Sequence, residues 1–235
     1  MDNNVISYYL INLDRSSDRL EIFNESWAYT NLTYTRVPAV DGADDLNTNP
    51  EAVRIFNLAH ANKQSVPRRN MKGYRWTYNR ATSGIKDGFS FMPRLLPAAD
   101  RQKALILSNL NVFDIALNRR PMSKWTVIFE DDAVVTPAVI RAINESVRND
   151  RYDVIALDNN TRWGFGTNAM LYRTSILPRL IDALHPLGPY ASNCNHGIPW
   201  DWLLFGFAKK NKKTRFTIKP ICKSYKFAST IEINR

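Results

Sequence analysis

Three consecutive carboxylates, Glu130, Asp131 and Asp132, are the residues of this chain best suited to chemistry. They directly follow residues 125–129 (WTVIF), an uncharged run that predicts a buried strand of a mostly parallel sheet. Like charges about 4 Å apart repel by about 4 kcal/mol at an effective dielectric constant of about 20, so the triplet needs a cation, a raised pKa or wide separation. A solvated acidic turn is the alternative. Ligands bind at the carboxyl ends of strands in open α/β sheets, and oxygen clusters suit Mg²⁺ or Mn²⁺ bound to phosphates. The position of the triplet therefore favours a metal–phosphate site.

The beginning of the chain supplies a second candidate region. Residues 5–13 predict a first buried strand, and apolar residues then recur at helical spacing over 20–27. Arg15 and Arg19 lie on the first turns after the strand, where main-chain amides and the helix dipole would add to their charge. This strand–turn–helix entry favours phosphate binding, although an ordinary exposed arginine pair beside two acids is the open alternative.

The remaining pattern predicts a single α/β domain over residues 1–235, with helices packed on a central sheet. Residues 36–40 predict a second strand that ends at Asp41, which completes a β-α-β unit typical of a doubly wound sheet. Further helices are predicted over residues 101–118, 137–147, 174–184 and 199–208, and further strands over 153–157, 169–172 and 216–221.

Composition restricts the class of protein and its partners. An apolar content of 44% excludes a disordered chain, and a net charge of +10 predicts anionic partners: nucleotide, phosphate, membrane surface or nucleic acid. No apolar run is long enough to span a bilayer, and Cys194 and Cys222 form no metal-binding pattern. We therefore expect a cytoplasmic protein, with peripheral contact to an anionic membrane as an open possibility.

Residues 44–100 form a basic and aromatic segment of weak periodicity. Such mixing suits nucleic acid, a sugar site or an anionic lipid surface. We interpret the segment as a lid or an acceptor-side insertion.

Four stretches together resemble glycosyltransferase family 25, which includes bacterial lipooligosaccharide galactosyltransferases and collagen hydroxylysine galactosyltransferases. They are residues 11–19 (INLDRSSDR), 36–42 (RVPAVDG), 128–133 (IFEDDA) and 199–204 (PWDWLL). The resemblance implies a GT-A-like (Rossmann-like) fold and inverting transfer of a hexose, galactose or glucose, from a UDP-sugar to a glycan or glycoprotein acceptor. One departure is Ser108-Asn109, where the family usually has a Ser-His pair.

The resemblance also implies roles for particular residues. Asp132, with Glu130, would hold Mn²⁺ or Mg²⁺. The donor nucleotide-sugar would lie among Asn12, Leu13, Arg15, Arg19, Asp41, Glu130 and Asp131.

An inverting transfer also needs a base on the acceptor side, and Asp201 is the candidate. It lies between Trp200 and Trp202, which would offer sugar-stacking faces or, alternatively, belong to the core. His196 would complete the metal shell, bind the acceptor or do neither.

Two other classes of function are open at this point. The basic charge also fits a nucleic-acid-binding protein, although no recognised nucleic-acid motif is present and we expect no nucleic-acid partner. The Asn109 departure also fits a non-catalytic scaffold that binds sugars or membranes.

Overall fold

A computed structural model describes residues 5–41, 96–158, 167–184, 200, 204 and 214–224. The strands in this part of the chain are β1 (Ile6–Asn12), β2 (Thr35–Pro38), β3 (Trp125–Glu130), β4 (Ala133–Val134), β5 (Val154–Asp158), β6 (Ala169–Arg173) and β7 (Phe216–Ser224). The longer helices are α1 (Ser17–Trp27), α2 (Leu96–Asn118), α3 (Pro137–Asn149) and α4 (Leu177–Leu184). Short 3₁₀ turns over Ala28–Thr30 and Thr174–Ile176 follow α1 and precede α4.

The described strands form one sheet in the order β2-β1-β3-β6-β5-β7-β4. β1 is parallel to β2 and β3, and β5 is parallel to β7. β6 runs antiparallel between β3 and β5, and β4 is antiparallel to β7. Most of these strands therefore run in one direction, which confirms the predicted α/β fold with a mixed, mostly parallel sheet.

Apolar side chains cover both faces of the sheet because successive residues of a strand point to opposite sides. Tyr9, Ile11 and Ile128 pack on one face with buried residues of α2 and α4. Leu10 and Phe129 pack on the other face with buried residues of α1 and α3. The central strands are thus buried on both sides, as their uncharged sequences predict.

The register of the sheet brings several strand ends to the same side. Ile11 of β1 lies opposite Glu130 of β3, and Phe129 lies opposite Ala169, the first residue of the antiparallel β6. Asp158 at the end of β5 lies opposite Cys222 near the end of β7. We call this side, formed by the carboxyl ends of β1, β3, β5 and β7 and the start of β6, the carboxyl edge.

Local signals account for several element boundaries. Thr136 caps α3, since its Oγ1 accepts a hydrogen bond from the main-chain N–H of Val139 at 3.4 Å and proline follows the cap. The predicted start of α2 was wrong: the helix begins at Leu96, so it includes residues 96–100 of the basic segment. The rest of that insertion, up to residue 95, lies outside the described residues. None of the described helices is long and apolar enough to cross a bilayer.

Candidate functional site at the carboxyl edge

Asp131 forms the centre of a polar network at the carboxyl edge. Its Oδ2 accepts a hydrogen bond from Asn12 Nδ2 at 2.9 Å, and its Oδ1 lies 3.3 Å from Arg19 Nη1. The side chains of Arg19 and Asp131 are only 14% and 11% exposed. The negative charge of Asp131 is therefore balanced inside the protein by the arginine that the sequence predicted for phosphate binding.

Asn12 connects this ion pair to two further elements. It is the last residue of β1, and it comes next to Asp131 because Ile11 pairs with Glu130 in the parallel ladder. Its Nδ2 also donates to the main-chain oxygen of Ser16 at 3.0 Å, and its Oδ1 accepts from Arg36 Nε at 2.9 Å. Both amide donors of this buried side chain are thus used within the protein.

The other two carboxylates of the triplet have neutral donors. Thr167 Oγ1 donates to Glu130 Oε1 at 2.7 Å, and Asn168 Nδ2 donates to Asp132 Oδ1 at 2.8 Å. The same Asn168 nitrogen donates to Ser224 Oγ at 2.6 Å, so it links the acidic turn to the end of β7. These hydrogen bonds orient Glu130 and Asp132 without supplying a positive charge.

The pKa values reflect this difference. Burial, then the charge of Asp132, raises the pKa of Glu130 to about 8, although the hydrogen bond from Thr167 opposes the shift. Burial, then the charge of Asp131, raises the pKa of Asp132 to about 7, while Arg19 opposes the shift. Asp158, buried at the end of β5, adds to the repulsion felt by both groups. A bound cation or a shared proton would relieve this repulsion.

The donor chemistry at Glu130 and Asp132 fits Mn²⁺ or Mg²⁺. Among the described residues, no three His, Cys, Asp or Glu side chains form a group that could hold a metal ion. Mg²⁺ is usually held by one or two carboxylates together with substrate phosphates and water, and not by a cage built only of protein. Two carboxylates beside a turn that is predicted to bind phosphate therefore fit an ion that arrives with a nucleotide.

A second ion pair lies beside this network, in the turn after β1. Arg15 Nε lies 2.9 Å from Asp41 Oδ2, with the arginine side chain 51% exposed and the aspartate 13% exposed. The main-chain N–H of Val40, next to Asp41, donates to Ser108 Oγ of α2 at 2.9 Å. The serine of the Ser108-Asn109 pair thus anchors the loop after β2. Asn109 is buried, and its Nδ2 donates to the Leu105 oxygen of its own helix at 2.9 Å.

The predicted donor-site residues therefore collect at one edge of the sheet. Asn12, Arg19 and Asp131 are in direct contact, and Arg15 contacts Asp41. Leu13 follows Asn12 and is partly buried. Their proximity does not test nucleotide binding, so the binding roles of these residues stay predictions.

The predicted acceptor side is described only at Trp200. This side chain is 0% exposed, and its ring centroid lies 6.1 Å from that of Phe113 in the core on the α2 face. Trp200 is therefore a core residue and not a sugar-stacking face. Asp201, Trp202 and His196 lie outside the described residues, so the roles considered for them stay predictions.

Sequence reasoning did not assign a site role to four residues of this edge, namely Arg36, Asp158, Thr167 and Asn168. Asp158 and Asn168 carry a local signal, because each is a polar residue next to an apolar run: Asp158 follows residues 154–157, and Asn168 precedes residues 169–172. Arg36 and Thr167 carry no such signal, since their partners are 24 and 37 positions away.

No family model and no curated protein matches the chain. Among solved structures, the chain is similar to the crystal structure of a glycosyltransferase involved in the glycosylation of the major capsid of PBCV-1. The identity is 10% and the TM-score 0.40, with 95% of this chain and 96% of that chain covered. A similarity at this identity and TM-score does not indicate a function, and the resemblance to family 25 rests on residues 11–19, 36–42, 128–133 and 199–204.

Proposed function

We propose that this chain is a metal-dependent, inverting glycosyltransferase that moves a hexose, galactose or glucose, from a UDP-sugar to a hydroxyl group of a glycan or glycoprotein acceptor. The observation that carries the proposal is the contact of Asn12 and Arg19 with Asp131, beside Glu130 and Asp132. This contact joins residues 11–19 to residues 128–133, two of the stretches that carry the resemblance to family 25. It lies at the carboxyl ends of the strands, where ligands bind in α/β sheets.

In this proposal the turn after β1 binds the donor. Arg15 is half exposed, and its guanidinium fits a phosphate oxygen without the desolvation cost of a buried charge. Arg19 is held by Asp131 and would place its guanidinium charge beside the diphosphate. Asp41, Leu13 and the Asn12 main chain would then surround the nucleotide.

Asp132 and Glu130 would hold Mn²⁺ or Mg²⁺ against the diphosphate. When bound there, the ion would act as a Lewis acid that stabilises the charge of the departing UDP. The hydrogen bonds from Thr167 and Asn168 orient these two carboxylates, as the partners of metal-binding side chains usually do.

Asp201 is the proposed base that removes the proton from the acceptor hydroxyl. An inverting transfer requires this group on the face opposite the leaving group. Burial of the adjacent Trp200 in the core would hold this part of the chain in place.

Thermal-shift measurements with UDP-, GDP- and CMP-sugars, each with and without Mn²⁺, test the proposal. We expect stabilisation by a UDP-sugar only when Mn²⁺ is present, of about 2.7 kcal/mol at a ligand concentration about 100 times Kd. Asp132→Ala should remove this stabilisation together with donor hydrolysis and transfer, and should leave unfolding cooperative. Glu145→Ala, which removes an exposed carboxylate of α3, is the matched control and should behave as the unmodified protein. Transfer that persists in Asp132→Ala would refute the metal site.

A further inference from the structure

We propose that Arg36 is a positioning residue of the donor site, which fixes Asp131 and Arg19 through the side chain of Asn12. This inference rests on the function proposed above. Arg36 lies on β2. In the described sheet, β1 lies between β2 and β3, the strand that leads into the acidic turn. Its Nε donates to Asn12 Oδ1 at 2.9 Å, and its Nη2 lies 3.4 Å from the Asn12 main-chain oxygen and also contacts Asp14 Oδ1.

The chemistry of the two side chains explains why Arg36 sets the direction of the amide. A guanidinium group can only donate hydrogen bonds, whereas an asparagine amide accepts on one side and donates on the other. Arg36 therefore requires the oxygen of the Asn12 amide to face β2. The nitrogen must then face Ser16 and Asp131, where it makes hydrogen bonds of 3.0 and 2.9 Å.

Burial makes this arrangement costly to change. Asn12 is only 1% exposed, so an amide turned the other way would leave buried donors and acceptors without partners. Such a loss costs about 1–3 kcal/mol for each group. With Arg36 in place, Oδ2 of Asp131 is committed to Asn12 and Oδ1 faces Arg19 at 3.3 Å. Arg36 thus controls the position of a phosphate-binding guanidinium that it does not touch.

Calorimetric measurement of the Kd for UDP in the presence of Mn²⁺ tests this inference. We expect Arg36→Ala to weaken binding about tenfold or more, because the Asp131–Arg19 pair loses its fixed position. Arg36→Lys keeps the charge but cannot contact Oδ1 and the main-chain oxygen of Asn12 with a planar fork, so we expect it to weaken binding at least threefold. Asp14→Asn is the matched control. It removes only the negative charge of a carboxylate that contacts Arg36 and is 76% exposed, and we expect its Kd to stay within about twofold of the unmodified value.

A double-variant cycle separates positioning from general stabilisation. If Arg36 acts through Asn12, Arg36→Ala combined with Asn12→Ala should bind UDP no more than about twofold more weakly than Asn12→Ala alone. Additive losses would overturn the inference. So would an Arg36→Ala protein that melts earlier yet binds UDP normally well below its Tm. If Arg36→Ala does not fold, the Kd of Arg36→Lys for UDP is the test. A Kd equal to that of the unmodified protein then overturns the inference.

The same experiment distinguishes this inference from the function on which it rests. If the unmodified protein binds no UDP with Mn²⁺, the proposed function fails and the inference fails with it. If the unmodified protein binds UDP and both Arg36 variants bind it equally well, only the inference is refuted.

Discussion

Asn12 and Asp131 are separated by 119 positions in the sequence, and Asn12 Nδ2 donates to Asp131 Oδ2 at 2.9 Å. The parallel pairing of β1 with β3 produces this contact, since it brings the last residue of one strand beside the turn that follows the other. Within the acidic triplet, Asp131 is therefore paired with an arginine, whereas Glu130 and Asp132 accept hydrogen bonds from uncharged side chains.

Asp131 is expected to be a structural carboxylate. Asp131→Ala removes the acceptor of both Asn12 and Arg19 in a site where the Arg19 and Asp131 side chains are 14% and 11% exposed. We expect it to lower the free energy of unfolding by about 2–3 kcal/mol, measured by urea denaturation. Asp18→Ala is the matched control because Asp18 is an exposed acid next to Arg19, and its effect should stay within about 0.5 kcal/mol. A loss no larger than that of Asp18→Ala would contradict the network described here.

Asp132 is expected to reduce stability in the absence of metal. Burial and then the charge of Asp131 raise its pKa to about 7, so the ionised group is unfavourable in the folded protein. Asp132→Asn keeps the shape of the side chain and removes the charge. We expect it to raise the free energy of unfolding by about 1 kcal/mol near pH 8 in a chelating buffer. The same variant should lose Mn²⁺-dependent binding of UDP. An Asp132→Asn protein that is less stable and still binds UDP with Mn²⁺ would contradict this prediction.

Asn168 is expected to tune the affinity for metal. It donates to Asp132 Oδ1 at 2.8 Å and to Ser224 Oγ at 2.6 Å, so it orients the carboxylate from the neighbouring strand. Loss of such a partner typically costs about 10–100-fold in metal affinity, and we expect Asn168→Ala to weaken Mn²⁺ binding about tenfold in the presence of UDP. Electron paramagnetic resonance of free Mn²⁺ measures this change.

A matched control for Asn168→Ala is Asn118→Ala. Asn118 also donates to a carboxylate, Asp114 at 3.1 Å, but this exposed pair lies at the end of α2. Its removal should leave Mn²⁺ affinity unchanged. Equal losses in the two variants would show that the effect does not come from the acidic turn.

Asp153, at the edge of the sheet opposite the carboxyl edge, should contribute to the pH dependence of the free energy of unfolding in acid. Burial alone would raise the pKa of Asp153, but hydrogen bonds from Arg215 and Arg173 outweigh it and lower the pKa. The stabilisation by Asp153 is therefore fully present above its unfolded pKa of about 3.9 and is lost as the pH falls through the lower folded value. Asp153→Asn should be less stable near pH 6 and should lose less stability than the unmodified protein between about pH 4 and pH 2. Parallel pH profiles of the two proteins in urea denaturation would contradict this prediction.

Local patterns in the sequence predicted much of the fold. The uncharged run before Glu130 is a buried strand, and Thr136-Pro137 begins a helix, because both depend on neighbouring residues. The acidic triplet is predicted to be a site for the same reason, since like charges at the end of a buried strand are unfavourable wherever that strand lies in the sheet.

The tertiary structure decided which of these residues meet. Strand order and register depend on packing between distant segments, and a shift of one residue would turn every side chain of a strand to its other face. Only the pairing of β1 with β3 gives Asp131 an amide partner that lies 119 positions away in the sequence. Packing on the α2 face likewise placed Trp200 in the core, although its sequence fitted a sugar-binding face equally well. The sequence by itself determined which segments carry the candidate site residues, because local polarity and spacing are sufficient for that. Only the tertiary structure decided which of the three carboxylates is paired with an arginine, since that depends on partners that only the sheet brings within hydrogen-bonding distance.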